Sequence, residues 1–400
     1  MPVRLLTAGE SHGPVVTAIV EGLPAGLALS SADIKPDLAR RQGLSASGKP
    51  YPGASPRMKL EHDSAEIMGG VMAGRTIGAP IAVQVRNLDH AKWQEKAIAP
   101  MTVPRPGHAD LTGAVKYGYD DLRFSLERAS ARETTARVAA GAICRKFLAH
   151  FGIVVGSYVT EIGGVLADLT GLSLSERIQQ AVESEMSCPS PEATAAMRAR
   201  VQDIMQAKDT LGGVFEVVAL GVPAGLGSHV HWDRRLSGRL AGALMSIHAM
   251  KGVEVGDAFA NARLPGTQVH DEIVLDGSDK AGTLTRRTNR AGGLEGGITT
   301  GQPIILRVAM KPISTTLNPL QSVDLATGQA APTNYERSDF CAVPRAGVVG
   351  EAMVCLVLAD ALIEKLGGDS IDEMQPRFDS LRQPRLDDLR MLNEPVVYWP

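Results

Sequence analysis

From Glu351 to Leu366 the sequence is apolar on nearly every face of the helix it would form. A helix without a polar stripe has no face to offer water, so it must be buried between other elements. That demand favours stacked layers over a thin sheet with decoration. The rest of the chain fits. Short runs rich in Val and Ile and bounded by Gly or Pro read as strands at Val16–Val20, Ile81–Val85, Ile153–Tyr158, Val214–Leu220 and Ile304–Val308. Ser30 and Ser31 ahead of Asp33 form a capping-box-like helix start, with Ile34 and Leu38 on one face. Helical spacing recurs through Val138, Ala139, Ala142, Ile143 and Phe147, and again through Leu240, Ala243, Leu244 and Ile247. Strands and helices do not alternate regularly, so the expected class is layered α+β rather than a doubly wound sheet.

Composition bounds the function. The chain has 400 residues, 44% of them hydrophobic, which is enough for a large core. Lys and Arg number 41 against 44 Asp and Glu, a net charge of −3, so neither nucleic acid nor a membrane surface is the expected partner. No uninterrupted run of 18 apolar residues occurs, and MPVRLLTAGESHG lacks the apolar core of a secretory signal. Four cysteines without C-x-x-C spacing read as reduced thiols. The expectation is a soluble, cytoplasmic protein. Two polar stretches stand out: Gly43–Ser55, and a charged tail from Gly367 to Pro400 that reads as a surface extension.

Standard motifs give no reaction class. There is no phosphate-binding G-x-x-x-x-G-K-[ST], no G-x-S-x-G and no H-E-x-x-H, and the glycines of Gly292–Gly297 do not match the dinucleotide fingerprint. His229 and His231 share a strand face but lack a third ligand nearby in sequence, so no metal is expected. What remains is two histidines in turns: His12 between Ser11 and Gly13, and His108 in Arg105-Pro106-Gly107-His108-Ala109-Asp110. Glycine there lets backbone lie against a ligand. Arg128-Ala129-Ser130-Ala131-Arg132 at a helix start offers N–H groups, hydroxyls and guanidiniums to an anion. Arg40, Arg41, Arg105, Lys311 and Arg337 recur in similar Gly- or Ser-rich turns. The physical reading is a multi-anionic small ligand with histidine acids beside it.

The ordered set of segments resembles the chorismate synthase family. It comprises GESHG at 9–13, RRQG at 40–43, RPGHAD at 105–110, RASARET at 128–134 and GVPAGLG at 221–227. It continues with MSIHAMKGVEVGDAF at 245–259, NRAGGLEGGITTGQPI at 289–304, KPIST at 311–315 and RSD at 337–339. The resemblance implies a catalytic domain over residues 1–366, with residues 367–400 as an extension. It also implies a β-α-β sandwich, with helices between two antiparallel sheets, and a homotetramer. The implied reaction eliminates phosphate and a ring proton, in an anti-1,4 sense, from 5-enolpyruvylshikimate 3-phosphate, with reduced FMN required. His12 would protonate the departing phosphate, His108 would serve the anionic flavin, and Asp339 would take the ring proton. FMN would be held by Arg128, Ala129, Ser130, His248, Ala249, Gly296, Lys311, Pro312, Ile313, Ser314, Thr315 and Arg337. Arg40, Arg41 and Arg132 would bind substrate or NADPH, the latter as external reductant. A flavin reductase using NADPH and a non-catalytic flavin-binding module are the alternatives.

The chain departs from the family pattern twice. After Arg40 the short Tyr-Gly-Arg-Gly loop common in the family is replaced by residues 43–50, leaving Lys49 or Arg57 to stand in for its arginine. His248 stands where an uncharged residue is usual. His248→Asn is therefore expected to leave turnover largely intact; a loss of more than about tenfold in a steady-state assay would place this imidazole in the chemistry.

Overall fold

The computed structural model describes residues 2–44, 51, 63–277, 282–336 and 338–399. The apolar segment is the greater part of a 24-residue helix, Val343–Leu366, that starts eight residues before Glu351 with Pro344 in its first turn. By length and composition this helix is able to cross a membrane although Arg345, Glu351 and Asp360 interrupt its apolar run, but 83% of its most apolar window lies buried inside the protein. It is a core helix.

Two antiparallel sheets flank the helices. The first has the spatial order Arg4–Ala8, Val15–Glu21, Ile81–Arg86 and Ala65–Gly69. The second runs Met250–Val255, Ile304–Met310, Gly213–Leu220, Val154–Ile162 and Val165–Leu166. Helix Thr134–His150 packs on the Val15–Glu21 and Ile81–Arg86 strands, while the Val343–Leu366 helix packs on Val154–Ile162 and Gly213–Leu220. The two helices lie against each other. Their approach is close because Gly141 has no side chain: a Cβ there would sit 2.3 Å from that of Ala352. Gly350 does the same on the sheet side, where a Cβ would come within 2.9 Å of Phe215 and Val217. Val20, Val83, Phe147, Phe215 and Leu358 thus belong to one continuous core.

A buried ion cluster runs through that core. Glu351, wholly buried, accepts two hydrogen bonds from the Arg40 guanidinium at 2.8 and 2.7 Å, one from Arg145 at 2.6 Å and one from the Ser157 hydroxyl at 2.6 Å. Asp37 takes the Nε–H of Arg145 at 2.8 Å. Helix Ser31–Arg41, both central helices and the second sheet are thereby tied at one point. Burial alone would raise the Glu351 carboxyl, but Arg40 and Arg145 outweigh it and hold it down at about 2.

The expected helix start at Ser30 is a capping box on helix Ser31–Arg41, with Ile34 and Leu38 fully buried. All four cysteines are buried and free. The tail differs from the surface extension expected. Ala25 N–H donates to the Asp369 carbonyl and Ile371 N–H to that of Ala25, both at 2.9 Å, and helix Ile371–Asp379 buries Ile371 and Met374. The exposed part begins later, with Met391, Leu392 and Trp399 facing solvent.

Glu351→Gln should lower stability by about 3 kcal/mol at pH 7, because two guanidiniums lose their carboxylate in the interior. The folded carboxyl at about 2 lies below its ordinary 4.5, so its contribution is complete above pH 4.5 and fades as pH falls toward 2. Urea denaturation of both proteins across that range should show the difference shrinking; a pH-independent difference would contradict an ionised Glu351.

Candidate active site

Turns at the ends of both sheets and the starts of the helices enclose a cavity of about 740 Å³. That is within the usual range for a small-ligand site. Its walls come from the turn after Arg4–Ala8 (Ser11, His12), the turn before helix Asp110–Tyr117 (Arg105, Gly107, His108) and the junction Ala129–Arg132. The lining continues with Ile247–Ala249, Lys311 with Ile313–Thr315, and Ser338, Asp339 and Arg345 at the start of the long helix. Residues from 11 to 349 therefore meet in one place.

Each turn histidine is held by a carboxylate. The Nδ1 of His12 lies 2.7 Å from Glu127 Oε1, and the His12 backbone N–H donates to Glu127 Oε2 at 2.8 Å. Trp93 covers the ring, with centroids 4.0 Å apart. Burial pushes the Glu127 carboxyl up, but the His12 hydrogen bonds outweigh it and hold it below the ordinary range. His108 Nδ1 lies 2.5 Å from Asp110 Oδ1, whose other oxygen accepts the Arg105 Nε–H at 2.8 Å. Asp110 is wholly buried; burial would raise it, yet hydrogen bonds from His108 and Arg105 keep it far below the ordinary carboxylate range. Arg105 also donates to the Thr315 hydroxyl at 3.2 Å, which joins two segments of the lining. Asp339 pairs with Arg345, whose Nε–H donates to the Arg41 carbonyl at 2.7 Å.

The structure brings together His12, His108, Asp339, Ala129, Ser130, Arg132, Arg41, His248, Ala249, Lys311, Ile313, Ser314 and Thr315 on the cavity wall. It places the others elsewhere. Arg40 is spent on Glu351 in the core. Arg128 turns outward and donates to the Thr7 and Gly9 carbonyls at 2.8 and 3.1 Å. Gly296 lies in the Leu294–Thr299 hairpin, and Pro312 is not on the wall. Arg337, Lys49 and Arg57 lie outside the described residues. Arg41 and Arg132 reach the wall but are largely committed: Arg132 donates to Asp63 at 2.7 Å and Asn87 at 2.6 Å, Arg41 to Thr134 at 2.9 Å and the Ala131 carbonyl at 2.8 Å. They brace the anion site more than they reach into it. Lys92, Lys96 and Lys311 add ammonium groups.

Sequence reasoning missed Glu127, Trp93, Asp63 and Arg345. Glu127 is adjacent to the Arg128-Ala129-Ser130 motif, which was its only signal; Trp93 and Asp63 are remote in sequence from what they serve, and Arg345 lies six residues beyond Asp339 in an apolar helix start. His248 is lowered by burial, with Glu133 acting the other way, and its Nδ1 is a buried nitrogen without a hydrogen-bond partner among the described residues. An unmet polar atom on a cavity wall is what a ligand group would satisfy. Ala249 beside it adopts φ +67°, a left-handed conformation uncommon for a residue with a Cβ. It accepts the Lys311 N–H at 3.0 Å there, fixing that strand end at the cavity.

A family model described as chorismate synthase matches residues 3–363. The chain is 50% identical over 394 residues to a chorismate synthase of Aquifex aeolicus, covering 94% of this chain and 96% of that protein. It is likewise 50% identical over 398 residues to one from Chlorobaculum tepidum, covering 95% and 98%. A crystal structure of chorismate synthase superposes with a TM-score of 0.76 at 44% identity, over 95% of this chain and 97% of that one.

Replacing Ala249 by glycine should raise stability by about 0.5–1 kcal/mol. The left-handed conformation costs an L residue about 1–2 kcal/mol, and the extra freedom of unfolded glycine returns only part of that. Thermal melting decides it: an unchanged or lower midpoint would mean Ala249 carries no conformational penalty.

Proposed function

The chain belongs to the chorismate synthase family, and from that premise we propose that this cavity converts 5-enolpyruvylshikimate 3-phosphate to chorismate and phosphate. The observation that carries the reading is the convergence of His12, His108 and Asp339 on one cation-rich cavity. A substrate with two carboxylates and a phosphate suits those cations. The two helices between the sheets are read as the filling of a β-α-β sandwich, with residues 1–366 as the catalytic unit, assembled as a homotetramer in the cytoplasm.

Reduced FMN is the implied cofactor, and the residues present fit it. The cavity is large enough, His248 offers an unmet buried nitrogen, and Lys311, Ser314 and Thr315 supply a cation and hydroxyls for a phosphate. Ala129, Ser130, His248, Ala249, Lys311, Ile313, Ser314 and Thr315 would hold it. When bound, reduced FMN would lend electron density to the substrate and recover it as the ring proton leaves. The protein's part is proton placement. His12, with Glu127 on its Nδ1, delivers a proton to the departing phosphate, a step worth roughly 10²–10⁴ in rate. His108 places its ring beside the flavin, oriented by the ionised Asp110 on its Nδ1. Asp339 receives the ring proton while Arg345 fixes its orientation.

The test is anaerobic. Protein, chemically reduced FMN and substrate should release phosphate and chorismate in equal amounts, with nothing released when flavin is omitted. His12→Ala and His108→Ala should each lower turnover at least about tenfold with the fold intact. Tight flavin binding without product would leave the binding-module reading, and NADPH consumption without substrate would favour the reductase.

A further inference from the structure

The role of His12 just proposed leaves open what aims a turn histidine at the phosphate. The geometry points to Glu127 as the positioning residue for His12: its carboxylate grips the backbone N–H and the ring Nδ1 of that one residue, which fixes the ring's orientation and assigns the transferable proton to Nε2. The inference rests on the acid role proposed for His12.

The grip is bidentate, with Oε2 accepting the His12 backbone N–H at 2.8 Å and Oε1 lying 2.7 Å from the ring. A carboxylate only accepts, so Nδ1 is the donor in that contact and carries a hydrogen. In the neutral ring Nε2 is then the acceptor; in the cation it is the second donor, which is the form a phosphate leaving group needs. The same residue also holds the turn through its main chain, since Ser11 N–H donates to the Glu127 carbonyl at 3.0 Å. Asn87 pins the other side, donating to the Gly13 carbonyl at 2.6 Å, and the His90 ring meets the His12 carbonyl at 2.9 Å. With Trp93 over its ring, His12 has little room to rotate.

The carboxylate and the imidazole are both largely shielded, with side-chain exposures of 16% and 15%. Shielding strengthens their attraction relative to a surface pair. Other charges face this pair: Arg123 acts on Glu127 and lies 5.9 Å from the Trp93 ring, while Asp89, Lys92, Lys96 and Arg132 line the same cavity. Most are cations, and Glu127 is a carboxylate in direct contact with the His12 ring. Replacing it with an isosteric amide keeps the shape and removes the charge.

Glu127→Gln is expected to lower kcat at least about tenfold with KM changed less than about threefold, because the loss falls on proton delivery rather than on ground-state binding. The alkaline limb of the kcat–pH profile should move down by about one pH unit or more. Glu127→Asp should recover part of kcat and of the profile. Independently of activity, ¹⁵N NMR of the ligand-free protein, with His12 assigned by comparison with His12→Gln, should show Nδ1 protonated in the neutral ring. The protonation midpoint of His12 should fall in Glu127→Gln. A folded Glu127→Gln with wild-type kcat and an unmoved His12 midpoint overturns the inference. So does an unprotonated Nδ1 in the wild type, a result that needs no variant to fold. Failure of the acid role itself looks different: His12→Ala would then turn over normally whatever Glu127 does to the ring.

Discussion

The Glu351 cluster is the constraint on which the rest depends. A wholly buried carboxylate in a largely apolar helix is tolerable only with guanidiniums in direct contact, and Arg40 and Arg145 supply them from two other helices. Those contacts fix how helices Ser31–Arg41, Thr134–His150 and Val343–Leu366 sit relative to one another. Gly141 against Ala352 then sets how closely the last two approach. Removing Arg40 or Arg145 would leave the wholly buried Glu351 short of a counter-charge.

The cavity follows from that arrangement. Three helix starts, Asp110–Tyr117, Thr134–His150 and Val343–Leu366, lie at its wall together with strand ends from both sheets. Asp110 begins the first, Thr134 the second, and Arg345 sits in the opening turn of the third. Each active-site side chain is therefore braced by an element whose position the core has already fixed. Carboxylates do much of the bracing: Glu127 on His12, Asp110 on Arg105 and His108, Asp63 on Arg132. Ionised groups so shielded are costly, and they persist here in pairs where each partner has a defined geometry.

Much of this was legible in order along the chain. The strands at Val16, Ile81, Val214 and Ile304 were visible because β-branched runs bounded by Gly or Pro have few other uses. The Arg4–Ala8, Ala65–Gly69 and Met250–Val255 strands were not, since MKGVEV and AEIMG carry no strong alternation and become strands by pairing with neighbours already in place. Helix Ile371–Asp379 was hidden in a polar tail because only a few of its residues, Ile371, Met374 and Phe378, face the core. Arg40 looked like a ligand for an anion because it sits beside Gln42 and Gly43; its partner Glu351 is 311 residues away.

What the sequence determined by itself is chemistry type and order: histidines beside glycines, arginines beside serines, and one helix with no face for water. Those are local facts, set by residue identity and spacing. Which arginine meets substrate and which one neutralises the core, which carboxylate holds which histidine, and which turns share a cavity are decided only by the tertiary structure. The reason is that an ion pair or a hydrogen bond depends on a distance of about 3 Å, and folding sets that distance between residues the chain keeps far apart.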